Sequence, residues 1–521
     1  MKTDVLIIGA GGAGLTSALT AHENGATIKI ITKEYPTRAQ TSMAQGGINA
    51  VLEDNNGDSI QSHIQNTLKS AHGLGDEEAI NLLCTKAPDA IQWLDSIGVS
   101  FSRTQDKKIA QRRLGGASAP RACYAQDYTG LKVLHTLYDK TIQKNIEILN
   151  ERYLLEILTQ NNSTYGVKVL NIRSGEIEEH YAKSVIIATG GYSRVYDKHT
   201  TNSSASTGDG IAVALKAGAL VSDMEFIQFH PTALKNSSIL ISESARGAGG
   251  YILNSKGERF TDELLPRDEV ARAIHNEMLQ GEDIFLDIRH LGEEFIDKEL
   301  PQERKLAKLY ENIDPVYDLI PIKPVAHYTM GGIDVDRYSA TNIKGLYAVG
   351  ECANQKVHGA NRLGGNSLLE LIVFGKEAGK NSALYARTIN YFKQEESLSN
   401  ELNINKQPTI DFYKIKEEVG DIFYKDVSII RDKKSLQLTL DKIEKFIQDS
   451  ENMGITDNSK IYNTNLIEFL EFKNMLTISK FILLGAINRD ESRGAHFRSD
   501  APTQNKLFDK HIIIDKNGEV Q

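Results

Sequence analysis

The sequence predicts an α/β fold: a doubly wound, nucleotide-binding sheet, discontinuous along the chain, followed by a helical domain. Three observations predict it. Residues 4–32 spell strand, glycine turn, helix and strand. Glycine-ended strands return far down the chain, at 183–193 and 343–353. Past about residue 385 the composition turns to amphipathic helices.

In "DVLIIGAGGAGLTSALTAHENGATIKIIT", Val5 to Ile8 make a buried apolar run and Leu15 to Ala21 recur at helical spacing. Between them stands Gly9-x-Gly11-x-x-Gly14. The first glycine permits a tight turn, the second lets pyrophosphate approach the backbone, and the third lets helix and strand touch. The helix N-terminus then faces the phosphates. Strand 28–32 closes a Rossmann-type βαβ unit. The usual acidic ribose ligand after that strand is replaced by Thr32 and Lys33, with Glu34 just beyond. This argues against a plain NAD site and leaves room for FAD, whose length suits the glycine-ended strands "ATGG" (188–191) and "GLYAVGE" (345–351).

The expected divisions are a first nucleotide part at 1–221, an α+β insert at 222–326, a second nucleotide part at 327–385, a helical domain at 386–505 and a tail at 506–521. The insert carries short strands, the turn signal "NSKGER" and a helix "RDEVARAIHNEML" at 267–279. The helical domain reads as amphipathic helices within 414–450 and 463–489.

The chain has 521 residues, 40% hydrophobic and 25% charged, an ordinary globular balance with ample apolar content for large cores. A formal net charge of −9 does not suggest a nucleic-acid partner. Cys84, Cys123 and Cys352 are scattered and form no CxxC or metal pattern, so neither a disulfide framework nor a cluster held by this chain is expected. No signal peptide and no apolar run of membrane-spanning length is read, so the expected location is the cytoplasm.

A series of motifs then occurs in order: "AQGGINA" (44–50), "QRRLGG" (111–116), "STGDG" (206–210), "FHPT" (229–232), "RGAGG" (246–250), "HYTMGG" (327–332), "GLYAVGEC" (345–352), "HGANRLGGNSLLEL" (358–371) and "ESRGAHFR" (491–498). Together they resemble the flavoprotein subunits of succinate dehydrogenase and fumarate reductase, a family that includes L-aspartate oxidase. The resemblance covers nearly the whole chain. It implies a Rossmann-type FAD-binding domain, a capping domain closing over the flavin, and a C-terminal helical domain. It implies that FAD is held by Gly9, Gly11, Gly14, Lys33, Gln45, Gly46, Gly47, Asp209, Glu351, Arg362, Ser367 and Leu368.

The implied chemistry is hydride transfer between flavin and the double bond of a four-carbon dicarboxylate. His230, His327 and Arg362 resemble a cationic clamp on its carboxylates, with Ser242 where relatives carry a threonine. Arg267 resembles the catalytic acid or base, and Glu243 with Arg246 the relay for its proton. Read alone, His230 is as readily a structural histidine. Arg267, between Pro266 and Asp268, reads alone as a helix start that could pair with that aspartate. Asp127 also matches the family, and "ESRGAHFR" reads as structural or interdomain.

Respiratory members read R-S-H-T where this chain has Arg38-Ala39-Gln40-Thr41, and their histidine bonds covalently to the flavin. An amide cannot, so the FAD is expected to be non-covalent. Losing that tether is expected to disfavour succinate oxidation more than fumarate reduction. The alternative, L-aspartate oxidase, resembles R-E-G-G where Arg113-Leu114-Gly115-Gly116 stands here. Leucine cannot pair with a substrate ammonium, so a fumarate reductase or succinate dehydrogenase type subunit is favoured. A catalytically silent flavin-binding protein would require loss of the clamp, which is intact. The resemblance further implies an iron–sulfur partner subunit and a membrane anchor subunit, which would hold the chain on the cytoplasmic face of the inner membrane.

Overall fold

In the computed structural model, which describes residues 3–52, 57–390, 402 and 404–521, the strand Thr3–Ile8 lies inside a seven-stranded sheet. It pairs in parallel with Ile28–Thr32 on one side and Ile177–Ile187 on the other. Val5, Leu6 and Ile7 are fully buried, as expected of a parallel strand covered on both faces. The strand Leu346–Ala348 joins the same sheet beside Ile177–Ile187, so chain far downstream completes the nucleotide domain.

The first helix, Gly12–Glu23, packs on the long helix Asn366–Thr388. The Ser17 hydroxyl donates to the Gly375 carbonyl at 2.9 Å, and a Cβ on Gly379 would lie 2.4 Å from the Ser17 carbonyl oxygen. Glycine at 379 therefore sets the approach of the two helices. The helix Asn366–Thr388 runs straight through the expected 385/386 division.

A second, antiparallel sheet is ordered Ile227–Leu234, Ile320–Thr329, Ile284–Asp287, Tyr251–Asn254. Ile252, Ile274, Ile284, Leu286 and Ile322 give it a separate core. Strand Ile320–Thr329 crosses the expected 326/327 division without a break and carries His327 back toward the nucleotide sheet. The helix Arg267–Leu279 matches its expected span.

The helices Phe412–Asp426, Lys433–Asp449 and Thr464–Asn488 follow; the expected helical domain also includes 391–401 and 403, which lie outside the described residues. Thr464–Asn488 corrects the amphipathic reading. Phe469, Phe472, Met475, Ile478, Phe481 and Ile482 bury different sides of it, because it is wedged between the other helices and Asp209–Lys216. The expected tail is also corrected. Ile513–Ile514 pairs with Val221–Ser222, and Asp223 accepts from the Ile512 N–H at 3.0 Å and pairs with His511 at 2.5 Å.

The "ESRGAHFR" region is buried between these units. Arg489 pairs with Glu225 at 2.5 Å, and Arg493 donates to the His72 carbonyl at 2.6 Å. Among the described residues no helix is long and apolar enough to cross a membrane, and no acidic, histidine or cysteine cluster could hold a metal ion.

Candidate active site

The glycine turn after the first strand divides its labour. A Cβ on Gly9, at φ +107°, would strike the Ala188 carbonyl at 2.2 Å, and one on Gly14 would strike the Gly9 carbonyl at 2.1 Å. These two glycines serve strand–helix contact. A Cβ on Gly11 would meet nothing closer than 3.5 Å within the chain. Gly11 instead borders a cavity of about 500 Å³, so its missing side chain leaves room for a ligand.

That cavity runs past Lys33, Gln45, Gly46 and Gly47 and along Asp209, then meets Glu351, Ser367 and Leu368. Its far end is walled by His230, Ser242, Glu243, Arg267, His327 and Arg362. Of the expected site residues, only Gly14 and Arg246 do not line it. Gln45 Oε1, Thr189 Oγ1, Ser203 Oγ and Arg362 Nε are buried polar atoms without a partner in the chain, and all four residues border the cavity. A long polar ligand would satisfy them, which fits FAD.

Lys33 bonds Asp209 at 2.8 Å and Glu471 at 2.6 Å. Burial alone would lower the lysine, but the two carboxylates outweigh it and hold its pKa above the ordinary range. Glu471, on the helix Thr464–Asn488, has no sequence signature and was not expected. Thr41 is another such residue: its Oγ1 accepts from the Gly12 N–H at 3.0 Å and steadies the glycine turn.

Burial pushes the Glu351 carboxyl up to about 7, although the Thr329 N–H and hydroxyl donate to its Oε1 at 2.9 and 3.1 Å. A raised folded pKa means that this group's contribution to stability is complete below its ordinary value of 4.5 and is lost as pH rises through about 7. Thermal melts of the flavin-free protein should therefore lose stability over that window, and Glu351→Gln should remove that share. Equal pH slopes in the two proteins would contradict the assignment.

At the far end, the strand Ile227–Leu234 shifts register between Gln228 and Phe229 and again between His230 and Ala233. Such bulges re-aim side chains, and here they turn His230 toward the cavity. The Thr232 N–H donates to His230 Nδ1 at 3.3 Å, which leaves the ring proton on Nε2. His327 Nδ1 lies 2.7 Å from Thr201 Oγ1, and the two imidazoles are 4.9 Å apart.

The expectation that the imidazoles of His230 and His327 bring positive charge to the clamp is corrected here. Burial, with the Arg267 guanidinium next in importance, holds both imidazoles well below the ordinary histidine range. A neutral ring offers one N–H and no charge. The positive charge comes from arginine.

Arg362 lies 4.4 Å over the Tyr328 ring, and burial followed by repulsion from Arg267 lowers it to about 10, still protonated at neutral pH. Arg362 Nη2 and Arg267 Nη1 both donate to one oxygen, Gln228 Oε1, at 3.0 Å each. Gln228 is fully buried and was not expected: a lone amide two residues before a histidine carries no signal. Its oxygen offsets the repulsion between two guanidinium groups that must stay close.

Arg267 opens its helix, yet it does not pair with Asp268. That aspartate bonds Arg272 at 2.9 Å and Asn361 at 2.7 Å. Arg267 instead donates from Nε and Nη2 to Glu243 Oε2 at 3.0 and 2.5 Å. Glu243 Oε1 accepts from the Gly115 N–H at 2.8 Å, and Arg246 stands 3.8 Å from the same oxygen. Burial would raise the Glu243 carboxyl, but Arg267 and Arg246 overcome it and keep the pKa low. Arg246 is itself fully buried, donates to the Glu263 carbonyl at 2.6 Å, and backs Glu243 away from the cavity. Ser242 caps the short helix Glu243–Gly247, accepting from the Ser244 N–H at 3.1 Å. Leu114 is buried at the cavity wall.

Known proteins show the family to which this chain belongs. A model described as an FAD binding domain matches residues 4–368, and one described as the fumarate reductase flavoprotein C-terminus matches 416–521. The 8-methylmenaquinol:fumarate reductase flavoprotein subunit of Wolinella succinogenes is 38% identical, the match covering 99% of this chain and 89% of the relative. The succinate dehydrogenase flavoprotein subunit of Rickettsia felis is 37% identical over 100% of this chain and 94% of its own. A solved quinol–fumarate reductase structure with menaquinol molecules superimposes with a TM-score of 0.94 at 35% identity, covering 100% of this chain and 97% of the other. The chain belongs to the family of FAD-dependent oxidoreductases formed by the fumarate reductase and succinate dehydrogenase flavoprotein subunits.

Proposed function

We propose that this chain is the catalytic flavoprotein subunit of a fumarate reductase or succinate dehydrogenase type enzyme, interconverting fumarate and succinate with non-covalently held FAD. The observation that carries the reading is the pair Arg267–Glu243 set beside Arg362 and two neutral imidazoles at the end of a glycine-lined cavity. FAD, when bound, supplies hydride exchange with one carbon of the double bond. Gly9, Gly11, Gly46 and Gly47 would give its backbone contacts, Gln45, Ser367 and Leu368 further ones, and Lys33, Asp209, Glu351 and Arg362 its polar partners.

The protein's own part is binding, orientation and proton movement. Arg362 and the Nε2–H groups of His230 and His327 hold the substrate carboxylates, with Ser242 beside them. Arg267 holds the proton at a guanidinium nitrogen and gives it to the second carbon in the reductive direction. A free guanidinium is a poor acid, with a pKa above about 12. Two bonds to Glu243 Oε2 make the loss brief, since Glu243 returns a proton along the line that Arg246 closes. Buried Leu114 leaves a substrate ammonium unpaired, which disfavours the L-aspartate oxidase reading.

Electrons leave or enter through partners in this reading. The three cysteines are buried and far apart in the chain, which supports an iron–sulfur subunit as the carrier, with a membrane anchor subunit holding the assembly peripherally. Acid precipitation of the holoenzyme is expected to leave all flavin in the supernatant, because Gln40 offers no nucleophile for a covalent bond. Flavin in the pellet would refute non-covalent binding. Fumarate reduction by a reduced dye is expected on the same sample; peroxide from L-aspartate without dye-linked turnover would replace the reductase reading with the oxidase.

A further inference from the structure

Gln40 is more than a missing tether. Its side chain borders the cavity and is bonded at both ends of its amide. The Ser203 N–H donates to Gln40 Oε1 at 2.7 Å, and Gln40 Nε2 donates to Asn202 Oδ1 at 3.2 Å. Both partners belong to one short segment, 201–203, that also touches the substrate end. Thr201 Oγ1 lies 2.7 Å from His327 Nδ1 and 3.3 Å from Asn202 Oδ1.

We infer that Gln40 is a positioning residue for the dicarboxylate: through Asn202 and Thr201 it fixes His327 in the tautomer that presents Nε2–H to the substrate. The inference rests on the clamp reading given above.

The Thr201 hydroxyl has one proton and two acceptors in reach. Asn202 Oδ1 keeps a second lone pair, so the choice is one of strength. At 2.7 Å against 3.3 Å, and with Asn202 Oδ1 shared with Gln40, the hydroxyl proton is assigned to His327 Nδ1 and the ring's own proton to Nε2. The other side of the segment is fixed independently: the Thr201 N–H and the Thr200 hydroxyl both donate to the Ala326 carbonyl, at 3.0 and 2.9 Å. This anchors it to the strand that carries His327, while Gln40 anchors its opposite edge. Without Gln40 the Thr201 hydroxyl is free to turn to Asn202. His327 could then carry its proton on Nδ1 and aim a lone pair at a carboxylate. The buried ring is held neutral, so it has no second proton to make good the loss.

The test uses the holoenzyme with ¹⁵N-labelled histidine, flavin content measured in parallel, and malonate as the dicarboxylate probe. Gln40→Met keeps the length of the side chain and removes both bonds; Thr201→Val removes the hydroxyl, and Thr201→Ser restores it. The His327 signal is identified by its loss in His327→Gln. Wild type should show Nε2–H. Gln40→Met and Thr201→Val should both move His327 toward Nδ1–H and weaken malonate binding and fumarate KM by roughly tenfold, with kcat changed far less. Thr201→Ser should restore both. If Gln40→Met leaves the tautomer and malonate binding as in wild type while Thr201→Val alters them, the role of Gln40 is refuted and the clamp stands. Loss of flavin from Gln40→Met without a tautomer change refutes it equally. If His327→Gln binds malonate normally, the clamp reading itself falls.

Discussion

Arg267→Ala is expected to lower fumarate reduction by about 10³- to 10⁴-fold, the range general acids contribute. Dicarboxylate affinity should fall much less, because Arg362, His230 and His327 remain in the cavity wall. The reason for so large an effect is that Arg267 is the cavity residue bonded twice to the buried carboxylate of Glu243. Arg267→Lys keeps the charge but presents one nitrogen, which cannot serve both Glu243 Oε2 and Gln228 Oε1. It should stay at least about tenfold below wild type in kcat for the same reason. Dye-linked turnover over a range of fumarate concentrations separates kcat from KM. A kcat for Arg267→Ala within tenfold of wild type would remove Arg267 from the proton path.

The second large effect concerns Glu243→Gln. The amide has the same shape but no charge, so the Arg267 and Arg246 guanidinium groups lose their shared counter-charge in a buried site. Breaking a buried pair in this way costs about 3–5 kcal/mol. Denaturant unfolding should show that loss, and kcat should drop about 10²-fold because the carboxylate that relays a proton to Arg267 is gone. The pH dependence has a definite sign. The Glu243 carboxyl is held below its ordinary value of 4.5, so its stabilising share is present above that pH and fades as pH falls through the lower folded value. The gap between wild type and Glu243→Gln should accordingly be full at neutral pH and narrow in acid. A constant gap across that range would mean that Glu243 is not the counter-charge.

Much of the candidate site was legible because its residues sit in motifs. His230, His327, Arg362, Glu243 and Arg267 line one cavity although they span residues 230 to 362. The helix Arg267–Leu279 was legible from apolar spacing with Pro266 before it and acids in its first turn. What the spacing could not supply was partnership. Asp268 is the nearest carboxylate to Arg267 in sequence, yet the bond goes to Glu243, 24 residues away. Glu471 reaches Lys33 across 438 residues. The helix Thr464–Asn488 reads as amphipathic, but its buried residues spread over most of its circumference because helices pack on more than one side of it.

By itself, then, the amino-acid order determined the glycine turn, the dinucleotide sheet, the approximate extent of the insert's helix and most of the side chains that wall the candidate site. These are local properties: backbone freedom at glycine, apolar periodicity and side-chain chemistry act within a few residues. Tertiary structure alone decided that the imidazoles are neutral, that Gln228 bridges two arginines, and that the C-terminal residues complete a sheet with Val221–Ser222. Charge state and hydrogen-bond choice depend on how much water is excluded and which group arrives within about 3 Å, and both are set by chain brought together from hundreds of residues apart.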